Sequence, residues 1–125
     1  MKKVIATSDA PAAVGPYSQA IALGNLLFCA GQIPLDAKTG DLVAGGVTEQ
    51  TTQVCENIAA VLKANGMDFT NVVKTTVFLT DLANFGAMNA VYAQYFKEPF
   101  PARSTIQVAG IPRGAQVEIE VTASL

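Results

Sequence analysis

The chain has 125 residues, of which half are apolar and 14% are charged. These values are typical of one globular domain, here residues 1–125, and exclude a disordered chain. The sequence contains no histidine. This excludes Ser-His-Asp and Cys-His relays, His-Glu-x-x-His zinc sites and imidazole acid–base chemistry. Any catalysis would depend on carboxylates, tyrosine, lysine, arginine, backbone amides or water.

Charge and cysteine content limit the partners and the compartment. Eight Lys and Arg stand against ten Asp and Glu, a net charge of −2, and the dispersed basic residues form no stripe for a nucleic acid. Cys29 and Cys55 lack metal-binding spacing and are predicted to be free, buried thiols. Thr7-Ser8-Asp9 ends the first apolar run too early for a signal peptide, and no stretch reaches the ~20 apolar residues of a membrane span. We expect a cytoplasmic protein that neither spans a membrane nor holds a metal ion at its cysteines.

The first half of the chain is predicted to form two strands and a helix. Residues 1–14 extend to Gly15-Pro16, and strands over 17–22 and 26–33 follow, joined by a tight turn at 23–25. A helix over 47–65 is predicted because apolar residues recur every three or four positions. Thr48 is its predicted capping residue, and Gly66 is predicted to end it. The apolar stripe comprises Val54, Cys55, Ile58, Val61 and Leu62, and the opposite face comprises Gln53, Glu56, Asn57 and Lys63.

The second half is predicted to contain a strand, a helix and two more strands. The strand covers 72–80, and Asp81 caps a helix that reaches about Lys97. Strands over 102–108 and 116–123 are predicted to pair as a hairpin through residues 110–114. The inner side of the helix is predicted to comprise Leu82, Phe85, Met88, Tyr92, Tyr95 and Phe96. The chain is therefore assigned to the α+β class.

Alternation in the last two strands defines two faces of the sheet. The apolar residues at 117, 119 and 121 point to one face, which two helices can cover. The second face is predicted to hold Arg103, Thr105, Gln107, Glu118 and Glu120, interrupted by Phe78. Such a face suits water or a second subunit, and the low total charge favours the subunit.

Arg103 is the first candidate for binding chemistry, because Pro101 fixes the chain before it and Arg103 opens a strand. Its guanidinium is a rigid fork that holds a carboxylate by two charge-assisted hydrogen bonds. The alternative is an ion pair with Glu118 or Glu120 across the predicted hairpin. The residue pattern alone leaves both interpretations open.

Glu118 is the candidate for orienting or deprotonating a water molecule, a contribution of about 10²–10⁴-fold. The alternative is a solvated strand glutamate, and Glu120 has an equal claim from alternation. Tyr17 either offers a free hydroxyl at a loop edge or packs in an interface. Lys74 is better explained as a surface lysine than as a Schiff base. Gly31 allows a backbone to approach a ligand, or else forms a bulge.

Several segments, in this order, resemble the RidA (YjgF-type) family of reactive enamine/imine deaminases. The similarity covers nearly the whole chain and includes residues 10–13, 15–20, 31–34, 73–79 and 81–82. The two most specific segments are Phe100-Pro101-Ala102-Arg103-Ser104 and Val117-Glu118-Ile119-Glu120.

This resemblance implies a chorismate-mutase-like fold, with a sheet of about six strands and two helices on one face. It also implies a homotrimer with clefts between subunits. The implied activity is hydrolysis of short 2-amino-enoates and 2-imino acids to 2-oxo acids and ammonia. Examples are 2-aminoacrylate, which gives pyruvate, and 2-aminocrotonate or 2-iminobutyrate, which gives 2-oxobutyrate. Such species leak from pyridoxal-phosphate enzymes, and their hydrolysis requires no cofactor.

The resemblance also implies roles for individual residues. Arg103 would bind the substrate carboxylate, and Glu118 rather than Glu120 would position the attacking water. Tyr17 would contact the ligand from the neighbouring subunit, and Gly31 would line the cleft. The remaining implied cleft residues are Thr105, Asn89 and Lys74.

Two positions depart from the family pattern. Many relatives have cysteine in place of Thr105 and serine in place of Ala30. The departure at Thr105 leaves a backbone amide and a hydroxyl as ligand donors, whereas Ala30 removes a hydroxyl. Two alternatives therefore accompany the deaminase: an RNA-directed protein, either an endoribonuclease or a translation inhibitor, and a non-catalytic holdase or ligand-binding trimer.

Overall fold

The computed structural model describes residues 1–125 and contains one six-stranded sheet with two α-helices. The strand order is β1-β2-β3-β6-β4-β5, and only β4 and β5 pair in parallel. The predicted α+β class, with six strands and two helices, is confirmed. The elements are β1 (Lys3–Ile5), β2 (Ala20–Leu23), β3 (Leu26–Cys29), α1 (Val47–Ala64), β4 (Val72–Leu79), α2 (Phe85–Tyr95), β5 (Ala102–Gln107) and β6 (Val117–Ser124).

Both helices pack on the same face of the sheet. Alternate residues of β6, from Val117 to Ala123, are buried beneath them with Val77 and Leu79 of β4. The predicted apolar stripe of α1 lies in this core and is confirmed. The opposite face, which carries Glu120, has no helix over it and is called the open face below.

The ends of α1 match the prediction at one terminus only. Gly46, not Thr48, is the N-cap residue, and its N–H donates to the Glu49 carboxylate at 2.8 Å. That carboxylate takes the place of a side-chain cap, so Thr48 is not required in this role. Gly66 has a φ of +69° just after the helix, as predicted for its terminating residue.

The loop after β3 is held by a polar residue of α1. Asn57 is buried, and its amide donates to the carbonyls of Ile33 at 3.2 Å and Leu35 at 3.0 Å. Asn57 was predicted to lie on the polar face of α1, opposite the apolar stripe, and its burial was not expected. Helical periodicity could not reveal that a loop covers this side of the helix.

Strands β2 and β3 are shorter than predicted. Residues before Ala20 form a turn in which the Tyr17 N–H donates to the Gly15 carbonyl at 2.9 Å. Strand β3 ends at Cys29, although the Ala30 N–H still donates to the Gln19 carbonyl at 2.9 Å, and Gln32 then exchanges two backbone hydrogen bonds with Ile119 of β6. The chain therefore passes from the side of β2 to the side of β6 over residues 30–32.

Helix α2 begins later than predicted, because Asp81 caps a separate 3₁₀ turn over Leu82–Asn84. Met88 is buried as expected. The prediction that Leu82 and Phe85 face the core is wrong, since they are 46% and 39% exposed. They lie near the outer edge of the sheet, where no strand follows β5.

The predicted hairpin between the last two strands is also wrong. Strand β4 lies between β5 and β6, pairing with β5 in parallel and with β6 in antiparallel register. Helix α2 supplies the crossover that a parallel pair requires. Strand β5 is consequently an edge strand, and no direct pairing fixes its faces relative to those of β6.

The new strand order reverses the predicted orientation of β5. Arg103 is opposite Thr75 in the register, so its side chain points to the helix-covered face. Thr105 and Gln107 share that face with it, whereas Glu118 lies opposite Phe78 on the open face. The expectation that Arg103 and Glu118 share one face is therefore wrong.

Candidate active site

Arg103 is held by side chains of α2. Its Nη1 donates to Asn89 Oδ1 at 2.7 Å. The guanidinium carbon lies 4.7 Å from the ring centroid of Tyr92 and 5.4 Å from that of Phe85. Two aromatic rings and one amide therefore fix both the position and the plane of this cation.

The guanidinium borders a cavity of about 400 Å³. The alternative interpretation, an ion pair with Glu118 or Glu120, is not formed, because both glutamates lie across the sheet from it. The remaining N–H donors of Arg103 are available to an anion. The cavity is lined by Asn89, Tyr92, Ala93, Phe100, Pro101 and Arg103.

Thr105 follows Arg103 on the same face of β5. Its Oγ1 is buried and has no hydrogen-bond partner within the chain. A buried hydroxyl without a partner costs about 1–3 kcal/mol, so such groups usually have one in the functional state. We call Arg103, Asn89, Tyr92 and Thr105 the arginine half-site.

Glu118 is half-buried on the open face, against the backbone of Gly31. A Cβ added at Gly31 would collide with the Glu118 carboxylate, so a side chain at this position would force the carboxylate to move. Burial raises the pKa of Glu118, and the negative charge of Glu120 raises it further. Glu120 itself is exposed, so the structure distinguishes two glutamates that alternation alone could not.

Tyr17 and Gly31 both line a second cavity, of about 300 Å³. Tyr17 is 54% exposed and lies in the turn before β2. We call Glu118, Gly31 and Tyr17 the glutamate half-site. Lys74 belongs to neither half-site: it lies on the open face, where its Nζ donates to Ser104 Oγ at 3.2 Å.

Gln19 stabilises the loop beside Tyr17 and was missed by the sequence analysis. This residue is buried, and its Nε2 donates to the carbonyls of Pro11 at 2.7 Å and Thr7 at 3.1 Å. Its Oε1 accepts from the Thr7 N–H at 2.7 Å. A single glutamine in an irregular segment gives no periodic signal, so only the fold reveals this role.

The contacts of Tyr92 with Arg103 were also missed, because its helical spacing assigned it to the core. Cys29 and Cys55 are free, as predicted, and burial raises the pKa of each thiol to about 12. No group of three or more Cys, Asp or Glu side chains is arranged to ligate a metal ion. Neither helix combines the length and the apolar character needed to cross a membrane.

Comparison with known proteins identifies the family. The sequence profile described as Endoribonuclease L-PSP matches residues 7–125. The chain belongs to this family. It is the family that the RidA (YjgF-type) resemblance predicted, so that prediction is confirmed. A human relative in this L-PSP family, named 2-iminobutanoate/2-iminopropanoate deaminase, is 50% identical over 98% of this chain and 90% of its own.

Solved structures of L-PSP relatives have the same fold. A Rid-family protein from Yersinia pestis is 50% identical, with a TM-score of 0.97 over the whole of both chains. TdcF from E. coli, solved with bound serine, is 41% identical, with a TM-score of 0.93 over 98% of each chain. These likenesses extend the agreement from sequence to the complete backbone.

Proposed function

We propose that residues 1–125 form a single-domain deaminase that hydrolyses short 2-imino acids to 2-oxo acids and ammonia. The observation that carries this proposal is the guanidinium of Arg103, fixed by Asn89 and two rings at the wall of a 400 Å³ cavity with no acidic partner. The deaminase names of relatives that are about half identical support the same chemistry.

In the proposed complex, Arg103 binds the carboxylate of the substrate. The fork geometry fits a carboxylate with two parallel hydrogen bonds, and such charge-assisted bonds are about twice as strong as neutral ones. Thr105, whose buried hydroxyl lacks a partner, donates to the same ligand. Binding of the substrate carboxylate thereby orients the C=N carbon.

Glu118 then activates water. A 2-amino-enoate first tautomerises to its 2-imino acid. The Glu118 carboxylate accepts a proton from water as the water oxygen bonds to the imine carbon, and Glu118 then passes that proton to the imine nitrogen. In the resulting carbinolamine, the carboxylate transfers the hydroxyl proton to the amine as the C–N bond breaks, which gives ammonia and the 2-oxo acid and leaves Glu118 ionised. The raised pKa of Glu118 makes it a stronger base than an ordinary glutamate.

One chain does not bring the two half-sites together, because they lie on opposite faces of its sheet. We therefore propose that each complete site combines the arginine half-site of one subunit with the glutamate half-site of another, in a homotrimer. A ring of identical interfaces satisfies this arrangement. Exposed apolar side chains on the open face supply contact area for it, namely Val4, Phe28 and Ile106.

Tyr17, Gly31 and Asn89 have supporting roles within the two half-sites, and Lys74 lies outside both. Tyr17 reaches the ligand from the neighbouring subunit, and Gly31 gives the Glu118 carboxylate room. Asn89 orients Arg103. Lys74, on the open face, borders the cleft from the subunit interface. Two free cysteines suit a reducing compartment, and we propose that the protein works in the cytoplasm.

The RNA-directed and holdase alternatives lack a comparable observation. The chain is acidic overall, and its eight basic residues are dispersed. Nucleic-acid binding depends strongly on clustered cations that neutralise phosphates. The cation that lacks an acidic partner is instead Arg103, and the cavity that it lines suits one small carboxylate.

The test of carboxylate binding by Arg103 is a dehydratase-coupled assay that follows 2-oxo acid release with and without the protein. Arg103→Ala and Arg103→Lys should both lose at least about 100-fold of the acceleration, because lysine keeps the charge but not the fork. Glu120→Gln, next to the site but exposed, is the control and should retain activity. An active Arg103→Ala variant of native mass would refute the assignment.

Mixing inactive variants tests the shared site. Arg103→Ala retains the glutamate half-site, and Glu118→Ala retains the arginine half-site. Trimers reassembled from equal amounts of the two should regain about a quarter of the sites by random pairing. Continued inactivity after confirmed subunit exchange would show that each site lies within one chain.

A further inference from the structure

Thr75 and Tyr92 form a polar pair inside the apolar core. Their hydroxyl oxygens are 2.9 Å apart, and the two residues are 0% and 5% exposed. Each hydroxyl has the other as its hydrogen-bond partner within the chain. We propose that this pair positions Arg103 for carboxylate binding, a role that rests on the proposed deaminase function.

The first support is the place of Thr75 in the sheet. Thr75 is the register partner of Arg103, on the adjacent strand and the same face. Its hydroxyl therefore anchors the Tyr92 ring directly beside the backbone from which the guanidinium extends. The hydrogen bond to Thr75 ties the Tyr92 ring to β4, and Arg103 lies in β5, which pairs with β4.

The second support is the stacking around Tyr92. The Phe96 ring stacks on the Tyr92 ring, with centroids 4.1 Å apart and an interplanar angle of 18°. The guanidinium carbon of Arg103 lies 4.7 Å from the centroid of the same Tyr92 ring. Phe96 is buried, so the ring that carries the cation is itself supported by the core.

The third support is the chemistry of the pair. Replacing two hydrogen-bonded buried groups by apolar groups of the same shape is often neutral for stability. A hydroxyl pair at this position therefore adds direction rather than folding free energy. Burial raises the pKa of Tyr92, partly offset by its contacts with Thr75 and Arg103. The phenol thus stays protonated and available to Thr75.

The consequence for binding follows from the hydrogen bonds of Arg103. Asn89 occupies Nη1, and the rings of Tyr92 and Phe85 set the plane of the guanidinium. The remaining donors are presented as a preformed fork. If the Tyr92 ring tilts, the fork must be ordered by the ligand at a cost in affinity.

The experiment uses Thr75→Val, Tyr92→Phe and the double variant in the full-length protein. The probe is 2-oxobutanoate, a stable carboxylate with the structure of the product, and its Kd is measured by calorimetry beside the melting temperature. Each single variant should weaken binding by about threefold to tenfold. The double variant should recover the melting temperature, since no hydroxyl is left unpaired, but should not recover the Kd.

Two matched controls lose a hydrogen bond elsewhere. Tyr95→Phe removes the 2.7 Å bond from Tyr95 to Glu56 on the same helix as Tyr92, and Thr51→Val removes a buried 2.7 Å bond to the Val47 carbonyl. Both should leave the Kd unchanged. Recovery of Kd together with melting temperature in the double variant, or equal weakening in the controls, would overturn the positioning role.

A second measurement does not depend on activity. The side-chain Nε–H signal of Arg103 reports rotation of the guanidinium by NMR, and the Thr75→Val and Tyr92→Phe variants should speed that rotation. Unchanged rotation would overturn the proposal. A wild-type protein that shows slow rotation and binds the probe but releases no 2-oxo acid would contradict the deaminase function while leaving the positioning role supported.

Discussion

The arginine and glutamate half-sites are built by different means. Arg103 is fixed by side chains of a neighbouring helix that are anchored in the core, through Tyr92 and Asn89. Glu118 lies instead on the open face, against Gly31, which has no side chain. Tyr17, in the same half-site, is mostly exposed.

The two half-sites therefore differ in what they require. Side-chain packing within one chain fixes Arg103, whereas Glu118 faces the surface that is proposed to meet another subunit. All members of the arginine half-site lie within one chain, so under the proposed function a single subunit already presents the Arg103 guanidinium to a carboxylate. Glu118, Gly31 and Tyr17 also belong to one chain, but the proposed site requires the arginine half-site of another subunit. Side-chain changes should therefore affect the first half-site through affinity and the second through turnover.

The largest effect on this contrast is expected from Glu118→Gln. Loss of the base should lower turnover by about 10²–10⁴-fold in the coupled assay. Because the pKa of Glu118 is raised, the folded state binds its proton more tightly than the unfolded chain does. Ionisation of Glu118 therefore lowers the free energy of unfolding as pH rises through the raised pKa.

The stability of Glu118→Gln should accordingly exceed that of the wild type above the raised pKa, and the advantage should vanish well below the ordinary glutamate pKa. Denaturant unfolding at several pH values measures this difference. Glu120→Gln removes the exposed charge that raises the pKa of Glu118 further, so as the matched control it should change the pH dependence less than Glu118→Gln does. A Glu118→Gln variant less stable than wild type at neutral pH would contradict the burial of this charge.

Gly31→Ala should have the next largest effect. The added Cβ would displace the Glu118 carboxylate, so turnover should fall by about 100-fold while the Kd of 2-oxobutanoate changes little. Gly110→Ala is the control, because a Cβ there meets nothing within 4 Å. Equal activity of the two variants would show that Glu118 does not require its present position.

Thr105→Val should have the smallest effect and concerns the arginine half-site. Removing a buried hydroxyl without a partner should raise the free energy of unfolding of the ligand-free protein by about 1 kcal/mol. Affinity for 2-oxobutanoate should fall severalfold, and turnover of bound substrate should change little. An unchanged Kd would show that this hydroxyl does not contact the ligand.

The sequence by itself determined the elements whose faces depend on local periodicity. The stripe of α1 and the alternation of β6 were both predicted correctly, because each lies over or within the core and repeats at its own period. The resemblance to a family, carried by the segments around Arg103 and Glu118, supplied candidate residues that periodicity left ambiguous.

Tertiary structure alone decided where those residues lie. Insertion of β4 between β5 and β6 placed Arg103 and Glu118 on opposite faces. The phase of an edge strand such as β5 depends on its neighbour rather than on its own alternation, since only one side of it is paired. The close approach of Gly31 to Glu118, and the burial of Asn57, likewise depend on chain segments distant in sequence, whose contacts leave no local periodic signal.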